Sequence, residues 1–410
     1  MRIVYYLLTI IFYYLLRPYL YLRILKKKEC PTRYQEKLGK SLRTRKDGKL
    51  IWFHCSSIGE LKSIFPIIDN YLKKNQILVT TSTLSSNEIF EKKYKNTENI
   101  IHQYAPIDSP QIIKKFFKRW KPDVIFFTES EIWPNQIFYA KNNGIPIILL
   151  NARISNKSFI KWKLIKNSMS QILNCFDLIL SQSNESTDNF KYFGTNNVMM
   201  LGNLKFVISE DFDSHKENLN LENRLIFIAL STHPSEEEIC IKAHASLKLQ
   251  FSNLLTIIIP RHINRIPEIE KKIINTKLNF LTSETIDNFK DNIDILVINS
   301  YGNTKKILKL SKYVFIGGSL VNHGGQNPIE VACNNSIIFH GPYTHNFTEI
   351  YNFLNKENVA FKINSQTELV NELKEKLNNI KDINIKEKLI KIGDEILSSI
   401  IKKLDQYIIH

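Results

Sequence analysis

Short apolar segments alternate with amphipathic helical segments along most of the chain, and this alternation limits the possible fold more than any other feature. The chain has 410 residues, more than the roughly 250 to 300 that a single hydrophobic core usually holds. We therefore predict an α/β protein with two Rossmann-like, doubly wound parallel sheets that face a cleft. The predicted strands are 50–53, 77–81, 124–127, 145–150, 178–181 and 198–201 in the first half, and 225–230, 255–259, 295–298, 314–316 and 336–340 in the second.

The predicted domains are a membrane anchor over residues 1–27, a first Rossmann-like domain over 28–206, a linker over 207–224 and a second Rossmann-like domain over 225–410. The linker contains Asp211 and Asp213, which are spaced like the DxD metal motif of some glycosyltransferases. Because the pair lies in a linker and does not follow an apolar strand, we do not assign it to metal binding. Five cysteines are scattered without CxxC spacing. We therefore predict neither a disulfide framework nor a metal site.

The first 50 residues combine an apolar segment with most of the excess positive charge. Residues 3–16 are apolar, and residues 1–50 hold 13 Lys and Arg against 3 acids, which is +10 of the net +16. This pattern indicates a membrane partner rather than nucleic acid, with basic residues that attract anionic lipids on the cytoplasmic side. No small-residue cleavage site follows the segment, as a signal peptide would require. Residues 3–16 are shorter than the ~20 apolar residues that a transmembrane helix needs, which favours a helix lying on the membrane surface. If the Arg17 side chain extends to the membrane surface, residues 19–25 lengthen the apolar segment enough to span the bilayer, so both arrangements remain open.

Acidic residues follow two of the predicted strands in the first half. Glu60 lies in the turn after the first strand, where it suits either catalysis in a cleft or stabilisation of a helix N-terminus. Glu129 and Glu131 follow the strand at 124–127. We expect Trp133 to be buried, and Glu131 lies beside it. Burying a charged carboxylate without a partner is costly, so Glu131 needs either a partner or a catalytic function.

Two glycine pairs follow the strand at 314–316 in the second half. Gly317 and Gly318 allow close approach of the backbone to a ligand, and a second pair precedes a predicted helix near Pro328. Free amide groups and a helix N-terminus favour a phosphate, and Glu330 suits a ribose diol. An ordinary strand-to-helix turn is the alternative interpretation.

Motifs at these strand ends resemble the 3-deoxy-D-manno-octulosonic acid (Kdo) transferases over nearly the whole chain. They read RYQEKLG, SSIGE, YAPID, ESEIWPN, NARIS, GNLKF, PRH, GGSLVNHGGQNPIE and GPYTHNF, in that order. The resemblance implies a GT-B fold and inverting, metal-independent transfer of Kdo from CMP-Kdo to the lipid A precursor lipid IVA. It further implies a location at the cytoplasmic face of the inner membrane, no cofactor, and no nucleic-acid partner.

The resemblance also implies roles for individual residues. Glu60 of SSIGE is the implied general base, and Glu131 and Lys205 are implied to support the transition state. The turn at Gly317, Gly318 and Ser319 is our own addition, as backbone near the phosphate. The CMP-binding residues that the motifs imply are Arg261, His262, Tyr301, Gly302, Asn303, Asn327, Pro328, Ile329 and Glu330.

Two residues depart from the family pattern. Asn303 stands where relatives commonly carry an acid, and Tyr343 stands where they carry a histidine. We expect altered affinity for the donor rather than loss of function. Two other hypotheses remain: a GT-B enzyme that transfers or epimerises a UDP-sugar, and a membrane-tethered protein that only binds anionic lipid through residues 17–49.

Overall fold

Two compact units make up the computed structural model, which describes residues 2–41, 43–208, 224–286, 292–379 and 383–408. One unit comprises Met1–Ser209 with Ile392–His410, and the other comprises Glu210–Lys391. Each unit contains a seven-stranded parallel sheet with helices between the strands. This confirms the predicted fold class. Residues 209–223, which include most of the predicted linker and the Asp211–Asp213 pair, lie outside the described residues.

The sheet of the first unit has the order β3-β2-β1-β4-β5-β6-β7. The order reverses at β1, which pairs in parallel with both β2 and β4. The strands are β1 Leu50–Cys55, β2 Gln76–Thr81, β3 Ile100–Tyr104, β4 Val124–Thr128, β5 Ile147–Ala152, β6 Leu178–Ser181 and β7 Val198–Met200. The helices are α1 Arg2–Leu25, α2 Ile58–Leu72, α3 Leu84–Tyr94, α4 Pro110–Trp120, α5 Pro134–Asn142, α6 Asn156–Lys163, α7 Lys166–Leu173 and α8 Asn184–Tyr192.

The sheet of the second unit has the order β10-β11-β9-β8-β12-β13-β14 and reverses at β8. Its strands are β8 Leu225–Thr232, β9 Leu254–Pro260, β10 Phe280–Ser283, β11 Ile295–Ile298, β12 Tyr313–Ile316, β13 Ile337–His340 and β14 Ala360–Lys362. Its helices are α9 Glu236–Lys248, α10 Ile266–Ile274, α11 Thr304–Leu308, α12 Ile329–Ala332, α13 Thr348–Lys356 and α14 Gln366–Asn378. A last helix, α15, extends over Lys386–Ile408.

The central strands are mostly apolar and fully buried, as in sheets whose two faces are both covered by helices; buried polar exceptions are His54 in β1 and Thr256 in β9. In β1, Trp52 packs on one side with Phe127, while Phe53 packs on the other side with Phe126. All four side chains are fully buried. The polar turns that follow these strands are thereby held on a rigid base.

Three strands were not predicted, namely β3, β10 and β14. In β3 the apolar pattern is interrupted by His102 and Gln103, both of which are buried. His102 is within hydrogen-bonding distance of Thr81, and Gln103 accepts a hydrogen bond from Trp120. Buried polar side chains with such partners are compatible with a strand, but their partners are not visible in the local sequence.

The C-terminal end of the predicted second domain, 225–410, is wrong. Two helices, α14 and α15, follow β14, and residues 392–410 belong to the first unit. Ile400, Leu404 and Ile408 are buried in the core on one side of the first sheet. Their spacing of four residues forms one helix face, and this face completes the first core.

One face of α1 packs against the rest of the first unit. Tyr5 Oη donates a hydrogen bond to Asp108 (2.8 Å), and Thr9 Oγ1 accepts one from Asn135 (3.0 Å). Further along the same face, Leu16 and Leu20 are buried beside α4. Large apolar side chains on the other faces are exposed: Ile3, Leu7, Leu8, Ile11, Tyr14, Leu15, Leu22 and Leu25 are among them.

We expect Leu404→Ala to lower the free energy of unfolding of the first unit by about 2 to 5 kcal/mol, because it leaves a cavity in that core. All four tryptophans lie in the first unit, so urea unfolding followed by tryptophan fluorescence measures the effect. Lys402→Ala, at an exposed position of the same helix, is the control. An unchanged unfolding midpoint in Leu404→Ala would contradict the assignment of this helix to the first core.

Candidate active site

Glu60 lies in the first turn of α2, directly after the carboxyl end of β1. Ser57 is the N-cap of this helix; its hydroxyl donates to Glu60 Oε1 (2.8 Å), and the Ser56 backbone N–H donates to Oε2 (2.7 Å). Burial raises the pKa of Glu60 to about 7, opposed by the Ser56 N–H and increased further by the charges of Glu129 and Glu131. A carboxylate with a pKa near neutrality is suited to proton transfer at physiological pH.

Glu131 follows β4, the neighbour of β1 in the sheet, and has the partners that the sequence required. Its Oε2 lies 3.0 Å from His54 Nε2 and accepts a hydrogen bond from Trp133 Nε1 (2.7 Å). Burial alone would raise the pKa of Glu131, but the hydrogen bonds and the charge of His54 lower it below its usual value. His54 is itself fixed by Thr80, 2.8 Å from its Nδ1. Glu131 is therefore a charged, oriented carboxylate.

Lys205 forms an ion pair with Glu129, with 2.8 Å between Nζ and Oε1. Glu129 has a left-handed backbone (φ 53°), which turns the chain immediately after β4. The Lys205 segment is held nearby because the Leu204 N–H donates to the side chain of Asn151. Sequence analysis noted Glu129 but gave it no role. The sequence feature that could have indicated a role for Glu129 is its position two residues before Glu131, at the end of a predicted strand.

These residues meet at one edge of the first sheet because parallel strands present their carboxyl ends together. Glu60 interacts electrostatically with both Glu129 and Glu131, so the three carboxylates form one cluster. Two of them have a cationic or imidazole partner, whereas Glu60 accepts hydrogen bonds from the Ser57 hydroxyl and the Ser56 backbone N–H. Burial and the charges of the other two acids raise the pKa of Glu60.

In the second unit, the predicted donor-binding residues follow neighbouring strands. Arg261 and His262 follow β9 and are exposed. Tyr301 is 66% exposed, and its hydroxyl accepts a hydrogen bond from the Ile263 N–H (3.4 Å). Asn303 donates to the Glu284 carbonyl and to the Ser300 hydroxyl, so its amide joins the loop after β11 to the segment after β10.

The backbone N–H groups of Gly317, Gly318 and Ser319, which we expected near the donor phosphate, already have acceptors within the protein. The N–H groups of Gly318, Ser319 and Leu320 donate to the buried carboxylate of Glu236, at 2.7 to 3.0 Å. The Gly317 N–H donates to the carbonyl of Leu230. A glycine pair after a strand predicts an anion, and here the anion is a side chain of the protein itself.

Glycine is required at position 317 for a different reason. A Cβ there would lie 2.4 Å from the Ser231 carbonyl oxygen and 2.8 Å from Glu236 Oε2. Burial raises the pKa of Glu236, although the four backbone N–H groups that donate to it act in the opposite direction. Sequence analysis missed Glu236, which is one of three consecutive acids at the start of α9.

The helix that we predicted near Pro328 is a single helical turn, α12, in the NPIE segment. Asn327 Oδ1 accepts a hydrogen bond from the Ile329 N–H (3.1 Å), and Pro328 and Ile329 are buried. Asn327 is exposed and Glu330 is half-buried, so these two side chains remain candidates for contact with a ligand. Tyr343 is 41% exposed.

The comparisons with known proteins agree with these motifs. The sequence model of the family described as 3-deoxy-D-manno-octulosonic-acid transferase (kdotransferase) matches residues 32–208. The 3-deoxy-D-manno-octulosonic acid transferase of Aquifex aeolicus is 32% identical over 360 residues, covering 87% of this chain and 93% of that protein.

Solved structures show the same fold at low sequence identity. A glycosyltransferase from Rickettsia africae matches with a TM-score of 0.63 and 12% identity, covering 88% of this chain and 99% of that chain. The UDP-GlcNAc 2-epimerase of Neisseria meningitidis matches with a TM-score of 0.57 and 11% identity, covering 88% and 100%. The fold is GT-B, as these neighbours and the two parallel sheets show.

We expect Glu236→Gln to destabilise the second unit by about 2 kcal/mol or more, because an amide NH₂ group replaces an oxygen that accepts two backbone hydrogen bonds. Hydrogen exchange measured by mass spectrometry should show faster exchange of the amides at 318–320. Glu238→Gln is the matched control, since Glu238 is an exposed neighbour paired with Lys242. Equal exchange at 318–320 in both variants would contradict the role of Glu236.

Proposed function

Because the chain belongs to the 3-deoxy-D-manno-octulosonic acid transferase family, we propose that it transfers Kdo from CMP-Kdo to the lipid A precursor lipid IVA. The proposed reaction inverts the configuration at the anomeric carbon and needs no metal ion. Glycosyl transfer as such follows from the family and the GT-B fold. The donor, the acceptor and the stereochemistry are the parts that this proposal adds.

Glu60, with a pKa of about 7, is the single observation that carries the mechanism. In the proposed step, the Glu60 carboxylate removes the proton from a glucosamine hydroxyl of the acceptor, and the oxygen attacks C2 of Kdo. The bond between C2 and the phosphate oxygen breaks, and its electron pair leaves with CMP. A base with a pKa near the working pH combines a large deprotonated fraction with useful proton affinity.

Glu131 and Lys205 hold charge around this base. Glu131 is kept ionised by His54 and Trp133, and its charge raises the proton affinity of Glu60. Lys205 is neutralised by Glu129 in the structure, which leaves its ammonium group oriented at the edge of the sheet. We propose that these two residues support the transition state as the family motifs imply.

The acceptor is a lipid, and α1 supports a membrane location. Among the described residues, Ile3–Leu25 is long and apolar enough to cross a membrane. However, its contacts at Tyr5, Thr9, Leu16 and Leu20 extend along most of the helix and bind it to the first unit. We therefore propose that α1 lies in the membrane interface with its exposed apolar faces in lipid, on the cytoplasmic side of the inner membrane.

The main test is incubation of the full chain in detergent with CMP-Kdo and lipid IVA, followed by mass measurement of the product. We expect mass increments of whole Kdo units, undiminished by EDTA, and inhibition by CMP rather than UDP. Glu60→Gln should lower transfer by at least about 100-fold while CMP-Kdo still binds. Glu98→Gln, an exposed acid of the same unit, is the matched control.

The same assay run against pH tests the role of Glu60 as a base. Because its raised pKa keeps it protonated below about pH 7, kcat/KM should fall as the pH decreases through that value. Glu129→Gln removes a neighbouring negative charge, which should lower the pKa of Glu60 and so move the acidic limb of the kcat/KM profile to lower pH. Absence of a mass increment would refute the reaction, and an unchanged limb in Glu129→Gln would refute the electrostatic coupling.

The orientation of α1 is tested by labelling. In a Cys30→Ser background, Arg2→Cys, at the polar start of α1, should react in sealed vesicles with a membrane-impermeant maleimide added on the side of the body, because both ends of α1 lie on that side. The native cysteines other than Cys30 are buried. An Arg2→Cys that reacts only after the vesicles are opened would show that the helix spans the bilayer.

A further inference from the structure

Three histidines from separate segments lie together at the carboxyl edge of the second sheet. His233 follows β8, His262 follows β9 and His323 lies in the loop after β12, and these three strands are neighbours in the sheet. The ring centroids of His233 and His323 are 4.3 Å apart, and those of His233 and His262 are 6.0 Å apart. His262 is a predicted donor-binding residue, whereas neither of the other two was assigned a role.

His233 carries an unsatisfied polar atom. The side chain is 6% exposed, and its Nε2 is buried without a hydrogen-bond partner among the residues that the structure describes. Leaving such a group buried without a partner is unfavourable, so native proteins keep few of them. A binding site is one setting in which the missing partner is supplied by a ligand.

The groups around His233 favour a ligand with negative charge. Burial, together with the charges of His323, His262, Arg261 and Arg265, lowers the pKa of His233 to about 4. The nearby carboxylate of Glu236 already accepts four backbone hydrogen bonds. An external anion would therefore find a positive potential.

Glu236 holds His233 in place. Its Oε2 accepts hydrogen bonds from the N–H groups of His233 (2.9 Å) and Gly318 (2.7 Å), which ties the β8 turn to the β12 turn. Gly318 has φ +68°, and a Cβ there would lie 3.4 Å from His233 Nε2 and 3.5 Å from Gln326 Nε2. The missing side chain at position 318 thus leaves a space beside two polar nitrogen atoms.

We propose that His233 and His323 bind the phosphate of the nucleotide donor, with Glu236 as the positioning residue. His323 is exposed and its ring lies tilted against the His233 ring, and the proposed binding includes a movement of the His323 side chain that gives a phosphate oxygen access to Nε2. Arg261 and His262 extend the same positive surface. This inference rests on the proposed function, because it assumes that the second unit binds a cytidine nucleotide.

The test compares CMP with cytidine, which lacks the phosphate, in binding to the full chain in detergent. His233→Ala should weaken CMP binding about 10- to 100-fold and leave cytidine binding unchanged, as for a hydrogen bond to a charged group. His233→Gln should recover most of the affinity, because its amide N–H reaches a similar position. His323→Ala, at an exposed position where loss of folding is not expected, should weaken CMP binding about tenfold.

The controls separate binding from stability. His244 is another buried histidine of this unit, but its Nδ1 lies 2.8 Å from Thr256 rather than in the cluster. His244→Ala should keep the affinity for CMP, and so should Asn322→Ala beside His323. Thermal unfolding of each variant identifies any loss of affinity that comes from unfolding.

Unchanged CMP affinity in both His233→Ala and His323→Ala would overturn the inference. Equal loss of affinity for CMP and cytidine would overturn it too, because it would assign His233 to packing. If the wild-type chain binds UDP and not CMP, the proposed donor fails instead. The same variants compared on UDP and uridine then test the phosphate site by itself.

Discussion

The carboxyl ends of parallel strands meet at one edge of a sheet, and the chemistry of the first unit depends on this constraint. It brings Glu60, from the turn after β1, near the two acids that follow β4. Three carboxylates at one edge repel one another unless cations or hydrogen-bond donors compensate them. His54 and Lys205 are the partners of the two acids after β4, whereas burial, together with the charges of those two acids, raises the pKa of Glu60.

The second unit meets the same constraint with an internal anion. The backbone N–H groups that surround Glu236 are of the kind that often bind phosphate, yet a side chain of α9 occupies them. This carboxylate joins the turns after β8 and β12 into one rigid structure. Because Glu236 occupies these N–H groups, a donor phosphate would have to bind to other groups of the second unit. We propose that the neighbouring histidines provide them.

The helix α1 shows how one sequence pattern serves two environments. Its composition and its basic flank indicate a membrane, as the sequence predicted. The polar contacts of Tyr5 and Thr9 and the burial of Leu16 and Leu20 show that one face is already used by the protein. The large apolar residues on the remaining faces are exposed, and lipid is the environment that suits them.

The sequence by itself determined the two parallel sheets, the family and the positions of Glu60, Glu131 and Lys205, because periodicity and motifs are local properties of the chain. Tertiary structure alone decided which groups neutralise one another. Gly318 donates to Glu236 across 82 residues, and Glu131 meets His54 across 77. The packing of α15 on the first core joins residues much further apart, since Tyr71 donates a hydrogen bond to Asp405 across 334 residues. A glycine pair or an acid shows what a position can bind, but its actual partner depends on which strand ends the fold brings together.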